Sequence, residues 1–300
     1  MDQEVGNFTY FFHIIKQVIY INNFILQYYG IHSFEIIDSK ECFIVKSFSK
    51  TYYLVLLEDD VDISLSYQLS FLVPFSYRFV FNCYHDFVSS YQGSNYVLLE
   101  DDYQKEFSLS NLFSFVPVGN RIKLNWNILW INRIEYLEEE YISFRGKYPL
   151  IDESIDYYFS MFDLAISLLS DYVSYYDIAF VQHKNINNNF FNPLYFCIDF
   201  KERDFSNFLK KIFWDNTYHS YSISDIILSH KSDYNFDLVI SRLLYPDYYF
   251  NTFLDIINLK KEEKELCFVI DRVVEYENYI SFILNVVNSF YPTKKVVFQT

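Results

Sequence analysis

Ile178-Ala179-Phe180-Val181, the polar loop Gln182 to Asn189 with His183-Lys184-Asn185 at its start, and Leu194-Tyr195-Phe196-Cys197-Ile198-Asp199 decide how this chain is read. The two apolar runs are short and β-rich, so they are predicted as strands rather than helices. A strand, a polar loop opening on a histidine, and a strand ending in aspartate deliver polar side chains from the ends of rigid elements, which is where chemistry usually sits.

Outward from this segment, apolar residues recur at helical spacing. Downstream lie Phe205, Phe208, Leu209 and Ile212, then Phe236, Val239, Ile240, Leu243 and Leu244, then a last helix from about Lys261 through Val287. Upstream, Trp126, Trp130, Ile134, Leu137 and Tyr141 repeat every three or four residues, with Glu135, Glu138 and Glu139 on other faces. Gly146 and Pro149 punctuate, Asp152 can cap, and Ile155 to Leu169 carries a broad apolar stripe. The helical pattern is predicted from residue 119 onward.

Before that point the period is two. A first helix closes at Gly30; Phe34–Ile36, Phe43–Val45 and Tyr52–Leu57 then predict a five- or six-stranded antiparallel sheet within residues 31–102. Tyr53 to Asp60 is echoed by Tyr96 to Asp102, each after another β-rich run, Cys42–Ser47 and His85–Ser90. Two similar hairpins explain the echo. A sharper reading brings Glu58-Asp59-Asp60 and Glu100-Asp101-Asp102 together around a divalent cation. The fold class is α+β with segregated elements: a leading helix and antiparallel sheet over residues 1–118, and a mostly helical part over 119–300.

Composition excludes several classes. With 24 Lys and Arg against 39 Asp and Glu, a net charge of −15 leaves no dense basic face for nucleic acid. Five Gly in 300 residues leave no glycine-rich phosphate loop. The four cysteines stand far apart among apolar neighbours, as buried free thiols do in a reducing compartment. The start Met1-Asp2-Gln3-Glu4 is acidic, unlike a secretory signal, and no run matches a membrane span. A cytoplasmic protein without membrane insertion is expected.

His183-Lys184-Asn185 with Ile198-Asp199-Phe200 resembles a degenerate catalytic segment of the aminoglycoside-phosphotransferase and choline-kinase group, and is most similar to its CotS-type spore coat proteins. Trp126, Trp130, Arg133-Ile134-Glu135-Tyr136, Tyr148-Pro149-Leu150-Ile151, Asn192-Pro193-Leu194, Arg203-Asp204 and Arg242-Leu243-Leu244-Tyr245-Pro246 follow in the family's order. The likeness covers roughly residues 120–258. It implies a protein-kinase-like two-lobed fold, with an antiparallel β N-terminal lobe and a helical C-terminal lobe.

The family's chemistry needs a phosphate-holding lysine, a base aspartate two residues after the loop histidine, and an asparagine and an aspartate that hold magnesium. Carried over, the base falls on Asn185, whose amide is no proton acceptor, and the metal asparagine falls on Phe190. Asn188, Asn189 or Asn192 can replace it only if the loop shifts. Asp199 survives as the metal aspartate, with Arg203 and Asp204 behind it. Lys46 is the lysine candidate, without an apolar setting or a glutamate partner. The resemblance therefore implies a remnant site of His183, Asn185, Asn192, Asp199, Arg203 and Asp204, with no cofactor expected, and a pseudokinase that binds an unidentified protein partner. An active kinase using ATP and magnesium on a small hydroxyl compound, and an unrelated α+β interaction protein, are the competing readings. The plainer reading of each residue also stands: His183 as a loop histidine, Asp199 as part of a helix N-terminus, Trp126 and Trp130 as core.

Overall fold

The computed structural model describes residues 20–39, 42–48, 50–58, 61–104, 106–172, 175–184, 186 and 190–291. The chain divides into two compact units, Met1–Asn111 with Asn187–Cys197, and Leu112–Ile186 with Ile198–Thr300.

In the first unit, helix α1 (20–29) ends where Gly30 takes a left-handed φ of 63° and its N–H closes on Leu26 O. Glycine enters that region without the Cβ clash other residues meet. Strands β1 (Phe34–Asp38), β2 (Phe43–Ser47) and β3 (Thr51–Leu56) form a meander, then helix α2 (Ile63–Ser70) intervenes before β4 (Arg78–Val80), β5 (Val88–Tyr91) and β6 (Ser94–Asp101). All pairings are antiparallel, in the order β1-β2-β3-β6-β4 with β5 also on β6. The sheet is therefore six-stranded, within the expected range. Of the run His85–Ser90, residues 85–87 are not strand, and His85 turns with φ of 62°.

Ile21, Phe24 and Ile25 of α1 pack on Val45, Tyr52, Leu54 and Leu98 to make the core of this sheet. Phe190 and Phe191 belong to the same unit and are buried; Tyr77 N donates to Phe191 O at 3.0 Å.

The second unit follows a single turn, α3 (Leu109–Leu112). The helical pattern expected from residue 119 begins only at Trp126. Residues before it form β7 (Pro117–Lys123), paired antiparallel with β8 (Tyr176–His183) through an irregular register between Pro117 and Arg121. Gly119, at φ 85°, lies in that irregularity. Helices α4 (Trp126–Phe144) and α5 (Pro149–Leu169) precede β8, and β9 (Phe196–Asp199) completes a three-stranded sheet in the order β7-β8-β9.

Then come α6 (Glu202–Trp214), α7 (Ile223–Ser229), α8 (Phe236–Leu244), α9 (Asp247–Ile257), α10 (Cys267–Ile270) and α11 (Val273–Asn288). Helix α8 packs on both α5 and α6. Trp126, Trp130, Ile134 and Leu137 are the buried stripe of α4, as their spacing predicted. Among the described residues no helix is long and apolar enough to cross a membrane.

Candidate functional site

Strand β8 is apolar from Ile178 to Val181 and then presents Gln182 and His183, both buried. Strand β9 ends on Asp199, and α6 starts three residues later at Glu202. That short connection brings Arg203 and Asp204 back over the ends of the two strands. Asp204 clamps β8: its Oδ1 accepts from His183 N at 2.8 Å, its Oδ2 lies 2.5 Å from His183 Nδ1, and its own N–H donates to Gln182 Oε1. A carboxylate can only accept, so the imidazole donates through Nδ1. His183 is thus tied down by an aspartate 21 residues further on.

Asp199 is surrounded by donors of its own unit. Oδ1 accepts from Trp126 Nε1 at 2.9 Å and from Phe200 N at 2.8 Å; Oδ2 accepts from Arg203 Nη1 at 2.8 Å. Arg203 also donates from Nε to His183 O at 3.3 Å, which links the two halves of the network. The Arg242 guanidinium lies 4.6 Å over the Trp126 ring and helps to hold the indole. Trp126 is a core residue, and in addition its N–H is spent on Asp199. Gln182 and Trp126 were missed as site residues. A buried indole must place its N–H somewhere, which was the available signal for Trp126.

Glu202 opens α6, is buried, and accepts from Asn235 N at 2.8 Å; loss of hydration pushes its carboxyl up to about 7.

The remaining candidates make other contacts. Asn192, in the first unit, accepts from Leu194 N at 3.0 Å and caps the 3-10 turn Pro193–Tyr195. Phe190 is buried, with its ring 4.8 Å from Phe107 and 5.3 Å from Phe191. Lys46 is exposed on β2, opposite Glu35 and Thr51, and makes no ion pair among the described residues. The strand that leads into α2 holds no lysine, and α2 holds no acid. Asn185, Asn188 and Asn189 lie outside the described residues.

Glu58 does not meet the second acidic cluster. Register pairs Thr51 with Asp101 and Leu56 with Tyr96, so Glu58 and Glu100–Asp102 lie at opposite ends of the β3–β6 ladder. Glu100 pairs with Lys50, and Asp102 with Arg78 at 3.0 Å; Asp59 and Asp60 lie outside the described residues.

Both oxygens of the Asp199 carboxylate accept hydrogen bonds, one of them from a guanidinium, whereas a magnesium ion needs several oxygens. Among the described residues no three His, Cys, Asp or Glu side chains gather at metal-binding range.

No protein-family model matches this chain, and no curated protein matches it significantly. Among solved structures it is similar to an aminoglycoside phosphotransferase from Alicyclobacillus acidocaldarius subsp. acidocaldarius. The identity is 9 %, over 85 % of this chain and 92 % of that one, with a TM-score of 0.55. Spectinomycin phosphotransferase in complex with ADP and spectinomycin aligns over 91 % of this chain and 96 % of its own, at 10 % identity and a TM-score of 0.48. Its AMP-bound complex aligns at 11 % identity, 93 % and 99 % coverage, and 0.46. The first of these likenesses shows the fold: an aminoglycoside-phosphotransferase-like chain, with an antiparallel sheet in its N-terminal part and helices in its C-terminal part.

Proposed function

We propose that this chain is a pseudokinase, a kinase-like protein that acts by binding or scaffolding and transfers no phosphate. The observation that carries this reading is the state of Asp199. In a working site of this family that carboxylate faces magnesium, and the metal neutralises the developing phosphate charge. Here the neighbouring cation is Arg203, 2.8 Å away, and Trp126 and the Phe200 N–H take up the other oxygen. A guanidinium supplies compensating charge but no open coordination position.

Two further positions support the reading. Phe190 fills the metal-asparagine position with a ring, and Asn185 replaces the base, whose contribution is typically on the order of 10²–10⁴-fold. The likeness to CotS-type proteins makes a spore coat layer the first place to look for a protein partner.

Titration calorimetry with magnesium–ATP tests the reading. No heat of binding is expected from the wild-type chain. Saturable heat that disappears in Asp199→Ala would overturn the proposal and leave an ATP-dependent small-molecule kinase in its place.

A further inference from the structure

Away from the remnant site, the second unit holds a groove of about 490 Å³ between the stretch 218–224 and helix α11. Small-molecule sites are usually concavities of roughly 300–1,000 Å³ that mix ring surfaces with a few placed polar groups. Tyr221 and Phe282 are exposed on its walls. Tyr279 lies beneath, with its hydroxyl turned inward to Leu209 O at 3.0 Å, so only its ring is offered.

The charges at the groove are already matched. Glu275 accepts from Tyr218 Oη at 2.9 Å and from Arg272 Nε at 3.0 Å. The Arg272 guanidinium, with smaller help from the Tyr218 hydroxyl and nearby His219, holds the Glu275 carboxyl below the usual range. Arg272 spends its other two nitrogens on the carbonyls of Trp214 and Phe213, which end α6. What faces the groove without a hydrogen bond to the protein, among the described residues, is chemically different: the Tyr221 hydroxyl, the Ser224 hydroxyl, the Asn278 amide and the His219 ring nitrogens.

This inventory discriminates between ligand classes. An anion meets no unspent lysine or arginine. A cation meets a carboxylate that is already paired. A purely apolar molecule would desolvate Asn278, Ser224 and His219 without replacing their bonds to water, which costs free energy. A pyranose ring satisfies all of them, because it has an apolar C–H face for an aromatic ring and a rim of neutral hydroxyls that both donate and accept.

We infer that this groove binds a neutral saccharide, with its C–H faces on Tyr221 and Phe282 and its hydroxyls on Asn278, Ser224 and His219. The groove shares no residue with the remnant kinase site, so the inference holds whether or not that site transfers phosphate.

Saturation-transfer NMR with maltotriose, cellotriose and chitotriose, followed by titration of whichever binds, is the test. At least one is expected to bind the full chain. Tyr221→Ala and Phe282→Ala are each expected to weaken it about tenfold or more, and Tyr103→Ala, which removes an exposed ring of the first unit, to leave it unchanged. Asn278→Ala, at a solvent-facing helical position, is expected to weaken binding as well, and it serves if a ring variant loses structure. Absence of transfer with all three trisaccharides overturns the inference. So does binding that survives Tyr221→Ala and Asn278→Ala alike.

Discussion

Arg203 stands four residues beyond Asp199 and donates Nη1 to its Oδ2 at 2.8 Å. The aspartate side chain is nearly buried and that of the arginine is a quarter exposed. The pair is therefore only partly screened by water, and neither partner is easily spared. A buried charge left alone costs far more than the intact pair contributes.

Arg203→Met should accordingly lower stability by about 2 kcal/mol, below the cost of breaking a fully buried pair because one partner reaches solvent. Trp126→Phe, which keeps the ring packing and removes one donor from the same carboxylate, should cost about 1 kcal/mol. The double variant should cost measurably more or less than the sum, because both donors serve one group. Urea unfolding of the four proteins checks this; strict additivity would show that Asp199 does not couple them.

Phe190→Asn puts an amide at the position where the family resemblance implies a metal-binding asparagine. The ring is buried against Phe107 and Phe191. An amide there loses packing and needs hydrogen bonds. A loss of about 3 kcal/mol is expected, with no magnesium–ATP heat gained. Nucleotide binding by this variant would overturn the pseudokinase reading.

Much of the fold was legible because periodicity reports burial directly. The stripe Trp126, Trp130, Ile134, Leu137 is buried on α4 as its spacing requires, and Gly30 ends α1 with positive φ. Helix α2 was hidden for a physical reason. Ile63-Ser64-Leu65-Ser66-Tyr67-Gln68-Leu69-Ser70 alternates like a strand, yet Asp62 caps it through Leu65 N at 3.0 Å and the segment winds. Register was also beyond reach. The echo of Tyr53–Asp60 in Tyr96–Asp102 is real, but antiparallel pairing of β3 with β6 puts Glu58 and Glu100–Asp102 at opposite ends of the ladder. The site's residue types could be read from the loop and its flanks. Its pairings, His183 with Asp204 and Trp126 with Asp199, depend on separations of 21 and 73 residues that only the fold closes.

Lys210 offers a contrast between removing a charge and stranding one. It is buried on α6, and its Nζ donates to Tyr245 O at 2.6 Å and to Asp247 Oδ1 at 2.7 Å; burial lowers its pKa against the pull of Asp247. Asp247→Ala leaves the ammonium without its counter-ion and should cost about 3 kcal/mol. Lys210→Met fills similar volume without charge and should cost about 1 kcal/mol, chiefly for the lost bond to the Tyr245 carbonyl. Equal losses in chemical denaturation would show that the two groups do not form a coupled pair.

Glu202 makes stability depend on pH in the direction opposite to an ordinary paired carboxylate. Burial is the largest influence and raises its pKa from 4.5 to about 7, against the Asn235 N–H and Lys201, which favour the charged form; Asp177 opposes them. The folded chain therefore holds this proton more tightly than the unfolded chain does. The contribution to stability is fully present below pH 4.5, declines as pH rises, and is gone above about 7. Its size is about 3 kcal/mol. Glu202→Gln keeps an oxygen for the Asn235 N–H and removes the titration. The variant should match or fall slightly below the wild type in acidic buffer and exceed it by about 3 kcal/mol in mildly alkaline buffer. Urea midpoints of both proteins on either side of neutrality decide the matter. A difference that stays constant with pH would mean that Glu202 is ionised throughout and that its carboxylate finds compensation beyond Asn235 and Lys201.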